Sequence, residues 1–335
     1  MKTSEILSSA WKTLEEEDYS LAGYYERRIF AQSNHSLFAG IFRPSNHLLL
    51  CFDVSLSNAA GVIEENTKGF SLYKELSPIT GKARLRLELT NVSYRDLFLV
   101  VSTDILNKIL EINDQKRAVA VFRQRLEHWK KFMQVSKPDG LSKYEQIGLF
   151  GELIVLRALL KLPNLSEEVL GSWRGPKRAN QDFIYKDRAL EIKTTTINDS
   201  TRLSISNERQ LDSKGLALLF LCHISIDERY QAGLSLPVLV DEIANSLHAH
   251  LVSLFNDSLL EAGYHDSQRN LYIDAGYIER GRKYYRVNNG FPRITPVDLR
   301  VGVSDVEYQI DLSGSASYLE AETQAFDLLF GITHG

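Results

Sequence analysis

The sequence predicts an α/β chain, α+β overall: a mixed central sheet flanked by helices, with a mostly β domain before it and a mixed C-terminal region after it. Three observations lead there. Short apolar runs separated by turn residues fill the stretch from Arg28 to about Val101. Helical apolar stripes take over between Thr103 and about Lys161. A polar-tipped hairpin at 180–196 then precedes Leu216–Ile226, a nearly all-apolar run of the kind found in a strand covered on both faces.

In chain order, 1–25 reads as one amphipathic helix ending in the acidic run Glu15–Asp18. The runs SLFAGIFRP, HLLLCFDVS, GVIEEN, GFSLYKEL, ARLRLELT and DLFLVVS read as strands, with turns at Pro44-Ser45-Asn46, Ser55–Asn58 and Thr80-Gly81. Together 1–102 forms the N-terminal domain, in which His35 and His47 read as turn or surface residues. Thr103-Asp104 suits the cap of ILNKILEI. Val119, Phe122, Leu126, Trp129 and Met133 make a helical stripe, opposite a face with Lys116, Arg117, Arg123, Arg125, Lys130 and Lys131. That face is either solvated or a DNA-backbone contact. Pro138-Asp139-Gly140 marks a boundary, which makes 103–140 a helical connector.

The core, 141–230, is expected as helix 142–161, a strand near 167–174, the hairpin, a helix at about 204–213 and the strand 216–226, with His223 a core histidine. The remainder, 231–335, opens with a helix at about 237–262, whose stripe leaves His248 and His250 off the buried side. RNLYIDAGYI, KYYRVNN and DLRVGVSDVEYQIDLS read as strands. Arg280, Arg282, Lys283 and Arg286, with Tyr284 and Tyr285, form the densest basic-aromatic patch, suited to phosphate contact and base stacking or equally to an exposed antiparallel strand.

Composition sets outer limits. The chain has 335 residues, 44% of them hydrophobic and 24% charged, enough for a large core without staples. Cys51 and Cys222 are too few for a disulfide framework or a zinc site and fit a reducing cytoplasm. The opening stretch lacks the apolar core of a secretion signal, and no apolar run is long enough for a membrane span, so a cytoplasmic protein is expected. With a net charge of −4, a nucleic-acid binder must gather its cations locally. GLFGEL lacks the Lys-Ser/Thr of a phosphate-binding loop.

The chemistry concentrates in NQDFIYKDRALEIKTTT, Asn180–Thr196. Strand alternation puts Glu191 and Lys193 on one face and Leu190 and Ile192 on the other. Asp182 on the partner strand can come opposite Glu191. Two carboxylates and an ammonium would then converge, a setting a hard divalent cation such as Mg²⁺ prefers, with the lysine free to orient water or stabilise phosphate charge. A solvated salt-bridge hairpin has the same pattern. Upstream, Glu152 is the lone charge in LFGELIVL, and a carboxylate in an apolar helix is costly unless paired or metal-bound. If that helix packs on the hairpin, Glu152 is a third acidic group.

Glu152 on a helix, then Asp182, then Glu191-Ile192-Lys193 on consecutive strands resembles the PD-(D/E)XK nuclease superfamily. GLFGELIVLRALL, W-x-GP, QDFIY, LEIKTT and ISNERQL together resemble the restriction- and defence-associated family of PD-(D/E)XK motif proteins. Gln181 stands where the motif has proline. The resemblance implies a restriction-endonuclease-like core and a metal-dependent DNA endonuclease. In it Asp182 and Glu191 hold Mg²⁺ (Mn²⁺ as substitute), Glu152 completes the metal shell or binds a second ion, and Lys193 with the metal activates water. It also implies DNA as partner, other defence subunits including a separate ATPase, and room for oligomers. Gln210, on the expected helix after Ser206, would face the site or DNA. Arg174, Lys177 and Arg178 in WRGPKR could reach a scissile phosphate or form a charged surface loop. Two other functions share these residues: a non-catalytic DNA-binding or scaffold subunit, and an RNA-cleaving enzyme.

Overall fold

A computed structural model describes residues 2–77, 79–135, 139–196 and 201–333. The chain forms two compact units, Met1–Pro138 and Asp139–Gly335. The first is a six-stranded antiparallel sheet in the order β1-β2-β3-β6-β5-β4. Its strands are β1 (Gly23–Ile29), β2 (Ser36–Arg43), β3 (His47–Ser55), β4 (Glu65–Asn66), β5 (Phe70–Ser77) and β6 (Lys82–Leu89). Helices α1 (Thr3–Glu16), α2 (Leu56–Ala59), α3 (Arg95–Leu110) and α4 (Gln115–Val135) pack within this unit. Trp11 of α1 donates its ring N–H to the Leu49 carbonyl at 2.9 Å and stacks on Phe98 of α3.

Several expectations are corrected here. The first helix stops at Glu16, and Gly23–Ile29 becomes an edge strand because its backbone pairs along all of β2. DLFLVVS is helical. Leu97, Phe98, Val101, Ile105, Leu106 and Ile109 are buried at three- and four-residue spacing, one stripe running through Thr103-Asp104, which therefore caps nothing. Of GVIEEN, only Glu65–Asn66 is a strand. The supposed connector 103–140 is not separate, since α3 and α4 lie in the first unit; Pro138 itself lies outside the described residues. His35 is buried, its Nε2 2.6 Å from the Ile112 carbonyl.

The second unit is built on a mixed sheet, β11-β12-β10-β8-β7, with β14 added on β12. Its strands are β7 (Phe183–Tyr185), β8 (Arg188–Thr196), β10 (Leu218–Tyr230), β11 (Leu234–Ser235), β12 (Ala275–Arg286) and β14 (Leu319–Glu320). Only β8 and β10 run parallel; β10 is central and almost wholly buried along its first half. One face carries Leu190, Ile192, Phe220, Cys222 and Ile224 into a core with α5 (Lys143–Leu159), α6 (Ser166–Ser172), α7 (Leu236–Ser246), α8 (Ala249–Glu261) and α9 (Glu322–Phe330). On the other face, Ala189, Leu219, Leu221 and Tyr285 pack under a two-stranded ribbon, β9 (Arg202–Ile205) with β13 (Tyr308–Asp311). This is the α+β, restriction-endonuclease-like arrangement anticipated, with mixed sheet and flanking helices.

Local misreadings in this unit have local causes. The stretch near 167–174 is mostly α6 (Ser166–Ser172) and not a strand, with only Trp173 bridging to Phe183; Glu167 and Glu168 in the helix's first turn favour its N-terminus. Residues 204–213 are not a helix. Leu203 and Ile205 alternate as a strand whose partner lies about a hundred residues downstream, so Ser206 caps nothing and Gln210 sits in a turn. The long helix at 237–262 breaks at Leu247-His248 into α7 and α8. RNLYIDAGYI begins in a turn at Asp266–Leu271, and KYYR continues the strand β12. DLRVGVSDVEYQIDLS is extended only at Tyr308–Asp311. The segment 231–335 shares one unit with the core, because β12 pairs with β10 along eleven residue pairs.

Helix α5 sits unusually close to the sheet. Ser142 caps it, its hydroxyl accepting from the Glu145 N–H while Glu145 accepts from the Ser142 N–H. Gly151 faces β8, and a Cβ there would stand 1.9 Å from Thr194 Oγ1. Gly151→Ala should therefore cost about 1–3 kcal/mol of overpacking, and adding Thr194→Ala should recover much of it. Denaturant unfolding of the single and double variants checks this; additive losses would show that the two residues do not clash.

Candidate active site

The close approach of α5 brings Glu152, the residue after Gly151, to the end of the hairpin. Its Oε2 accepts the ring N–H of buried Trp173 at 2.7 Å. Trp173 ends α6 and bridges to Phe183, which ties this donor to the start of β7. The backbone N–H groups of Arg174 and Gly175 then donate to the Asp182 carbonyl at 2.6 and 2.9 Å. A Cβ on Gly175 would lie 2.3 Å from Glu152 Oε2 and 3.0 Å from Asp182 Oδ1. The missing side chain thus leaves a hollow that both carboxylates face.

Lys186, at φ 55°, turns the hairpin, and its register sets Phe183 against Leu190. Asp182 Oδ2 accepts the Ile192 N–H at 2.7 Å. Glu191 is buried; its Oε1 holds Lys193 Nζ at 2.9 Å, and its Oε2 has no hydrogen-bond partner. Lys193 also donates to Gln210 Oε1 at 2.8 Å, and the same oxygen accepts the Ser206 N–H at 3.0 Å. Gln181, in the motif's proline position, donates to the Arg209 and Gln210 carbonyls at 2.9 and 3.2 Å and so holds that turn in place. Gln210 thus serves the site as a lysine partner, from a turn and not a helix.

Burial dominates the electrostatics. It pushes Asp182 up to about 6 against the pull of Lys193 and the Ile192 N–H. It pushes Glu191 up to about 8, with the Asp182 charge adding to the effect and Lys193 opposing it. Glu152 is raised well above the usual carboxylate range by burial and then by Asp182, with the Trp173 N–H countering. Lys193 loses hydration too, but the Glu191 and Asp182 charges more than offset this and raise it. Such a site has a surplus of buried carboxylates that a cation would relieve. Asp182 Oδ1 and Glu191 Oε2 are hard oxygen donors of the type Mg²⁺ takes, which commonly uses one or two carboxylates and keeps its waters. Among the described residues, no group of three or more His, Cys, Asp or Glu stands close enough to hold a metal ion, so the expected three-carboxylate shell with Glu152 is not assembled.

The chain matches, over residues 7–313, the family described as "Putative PD-(D/E)XK family member (DUF4420)". The chain belongs to this family. No curated protein and no solved structure matches it. A family match of this span accounts for a nuclease-type fold. Among the described residues, no helix is long and apolar enough to cross a membrane.

The basic clusters fare differently. Arg174, Lys177 and Arg178 are exposed on the loop whose backbone grips Asp182, so this cluster borders the site. On α4, Arg125 is buried against Asp104 and Lys130 is paired with Glu65, which removes two of the six expected cations from any DNA face. In the C-terminal patch, Arg280 pairs with Asp227 and Arg282 with Glu279 and Glu322, while Tyr284 and Tyr285 are buried and offer no stacking platform. From the sequence, Trp173 and Gly175 have no role of their own, and Gln181 stands only as the residue in the motif's proline position. Their only sequence signal was proximity to the motif, in W-x-GP and in the residue before Asp182.

Asp182 and Glu191 both bind protons more tightly folded than unfolded, where carboxylates titrate near about 4. Their contribution to stability is complete below that range and is lost as pH climbs through about 6 and about 8. The melting temperature of the metal-free protein should therefore fall across this window, and Glu191→Gln should flatten the fall. Calorimetry at a series of pH values tests it; an unchanged slope in Glu191→Gln would place the proton elsewhere.

Proposed function

We propose that this chain is a metal-dependent endonuclease that hydrolyses DNA phosphodiester bonds, using Mg²⁺ with Mn²⁺ as a substitute. On this reading it is a cytoplasmic subunit of a prokaryotic restriction or anti-phage defence system, working beside partner subunits that include a separate ATPase. One observation carries the chemistry: Glu191 is clamped to Lys193 through one oxygen and leaves the other buried without a partner, next to Asp182. Asp182 and Glu191 would hold the ion. When bound there, a divalent cation supplies an activated water and offsets charge on the phosphate. Lys193, fixed from one side by Glu191 and from the other by Gln210, orients that water and sets an ammonium where negative charge builds. Glu152, oriented by Trp173, stands behind the pair as a further carboxyl that a bound cation would favour in its charged form. Arg174, Lys177 and Arg178 meet neighbouring phosphates.

The test compares cleavage of plasmid, linear duplex and single-stranded DNA, and of RNA, with and without Mg²⁺. Lys193→Ala and Asp182→Ala should each lower cleavage at least about 10²-fold. Mg²⁺ should raise the melting temperature of the wild type, because it binds the folded state alone, and leave Asp182→Ala unmoved. Identical metal responses in the two proteins defeat the assignment of Asp182, and DNA binding without cleavage in any divalent metal points to a scaffold instead.

A narrower expectation concerns the indole. Trp173→Phe keeps a buried ring but removes the N–H that orients Glu152. It should weaken Mg²⁺ binding about 10- to 100-fold, in the range seen when outer partners of metal sites are removed, and shift the melting temperature little. Titration calorimetry measures it; unchanged affinity would make Trp173 a packing residue only.

A further inference from the structure

Beyond Lys193 the apolar cover of this sheet face ends among the described residues. The apolar cluster under the β9–β13 ribbon ends at the row Glu191–Leu221–Tyr285. The next row is Lys193 on β8, His223 on β10 and Lys283 on β12, directly paired across the three strands. Directly paired residues share a face, so all three lie on the side of Glu191. One row further stand Thr195, Ser225 and Gly281. Among the described residues this row is less covered: Thr195 and Ser225 are half-buried, and nothing lies within 4 Å of a Cβ placed on Gly281. The floor therefore changes from apolar to polar at Lys193.

We propose that the row Lys193–His223–Lys283, with Thr195, floors a track for the phosphodiester backbone, and that Lys283 grips a phosphate beside the one that is cut. This rests on the nuclease reading. Strands lie about 4.8 Å apart, so Lys283 stands about 10 Å from Lys193, along the sheet and away from the carboxylates. Its neighbours on the strand, Arg280 and Arg282, are committed to ion pairs, whereas Lys283 is exposed and forms no ion pair among the described residues. His223 is buried between the two lysines and meets Thr195 Oγ1 through Nε2 at 2.8 Å. Burial and then the Lys283 charge hold its pKa down to about 4, so the ring is neutral at neutral pH. A neutral ring that donates Nε2–H to Thr195 leaves the threonine hydroxyl proton free to point at a phosphate oxygen.

Binding of a duplex DNA oligonucleotide to the full chain, with Ca²⁺ replacing Mg²⁺ to hold back cleavage, is followed by fluorescence anisotropy over a salt series. Lys283→Ala should lower the salt slope by about one unit and weaken binding roughly five- to tenfold at about 0.1 M salt, as loss of one phosphate contact implies. Lys283→Arg should restore the slope. Arg286→Ala, an exposed cation on the opposite face of β12, should match wild type. An unchanged slope in Lys283→Ala, or an equal loss in Arg286→Ala, overturns the track. Wild-type cleavage with an unchanged Lys283→Ala slope removes the track alone. A wild type that binds through Lys283 yet fails to cut in the presence of any divalent metal removes the nuclease reading alone.

Discussion

A buried ion pair, Glu191 with Lys193 at 2.9 Å, is the constraint to which the second unit answers. Two charges withdrawn from water cost several kcal/mol each unless their remaining valences are met. Lys193 finds a second acceptor in Gln210, but Glu191 keeps one oxygen without a partner. Asp182, half-buried a strand away, makes the deficit of positive charge larger. A fold that only needed stability would replace these groups with apolar side chains of similar volume. Keeping them exposes the unit to a pH-dependent loss of stability, the usual signature of a site shaped for something other than folding.

Around the pair, ordinary backbone devices supply the precision. Gly151 admits α5 to the sheet, and Gly175 vacates the hollow between Glu152 and Asp182. Backbone donors fix Asp182 at its carbonyl and at Oδ2, and Gln181 pins the turn that carries Gln210. Some of these contacts are local to the hairpin and others join segments distant in sequence, so the geometry of the candidate site depends on the packing of α5, α6 and the hairpin together.

The first unit neutralises several of its cations internally. On the sheet face away from α1, Arg84 bridges Glu26 and Asp53 and lies over the Phe38 ring. Arg86 pairs with Glu75 at 2.6 Å and covers Tyr24 at 3.7 Å. These guanidiniums serve as packing groups with charged heads. In an acidic protein this leaves the loop at Arg174–Arg178 and Lys283 as better-placed contacts for a polyanion than the more conspicuous basic stripes.

The amino-acid order by itself determined the hairpin, the alternation that sets Glu191 and Lys193 on one face, the apolar central strand and the lone charge at Glu152. Each is a property of a few neighbouring residues, and strand periodicity or apolar context is enough to expose it. It did not reveal that DLFLVVS is helical, because seven apolar-rich residues satisfy either period until the stripe beyond them is added. Nor did it reveal the strand at Arg202–Ile205, whose partner comes from Tyr308–Asp311. The same limit hid Trp173 as the donor to Glu152 and Lys283 as the neighbour of His223. Those relations are hydrogen bonds and strand pairings between remote segments, and only the folded chain brings their partners within reach.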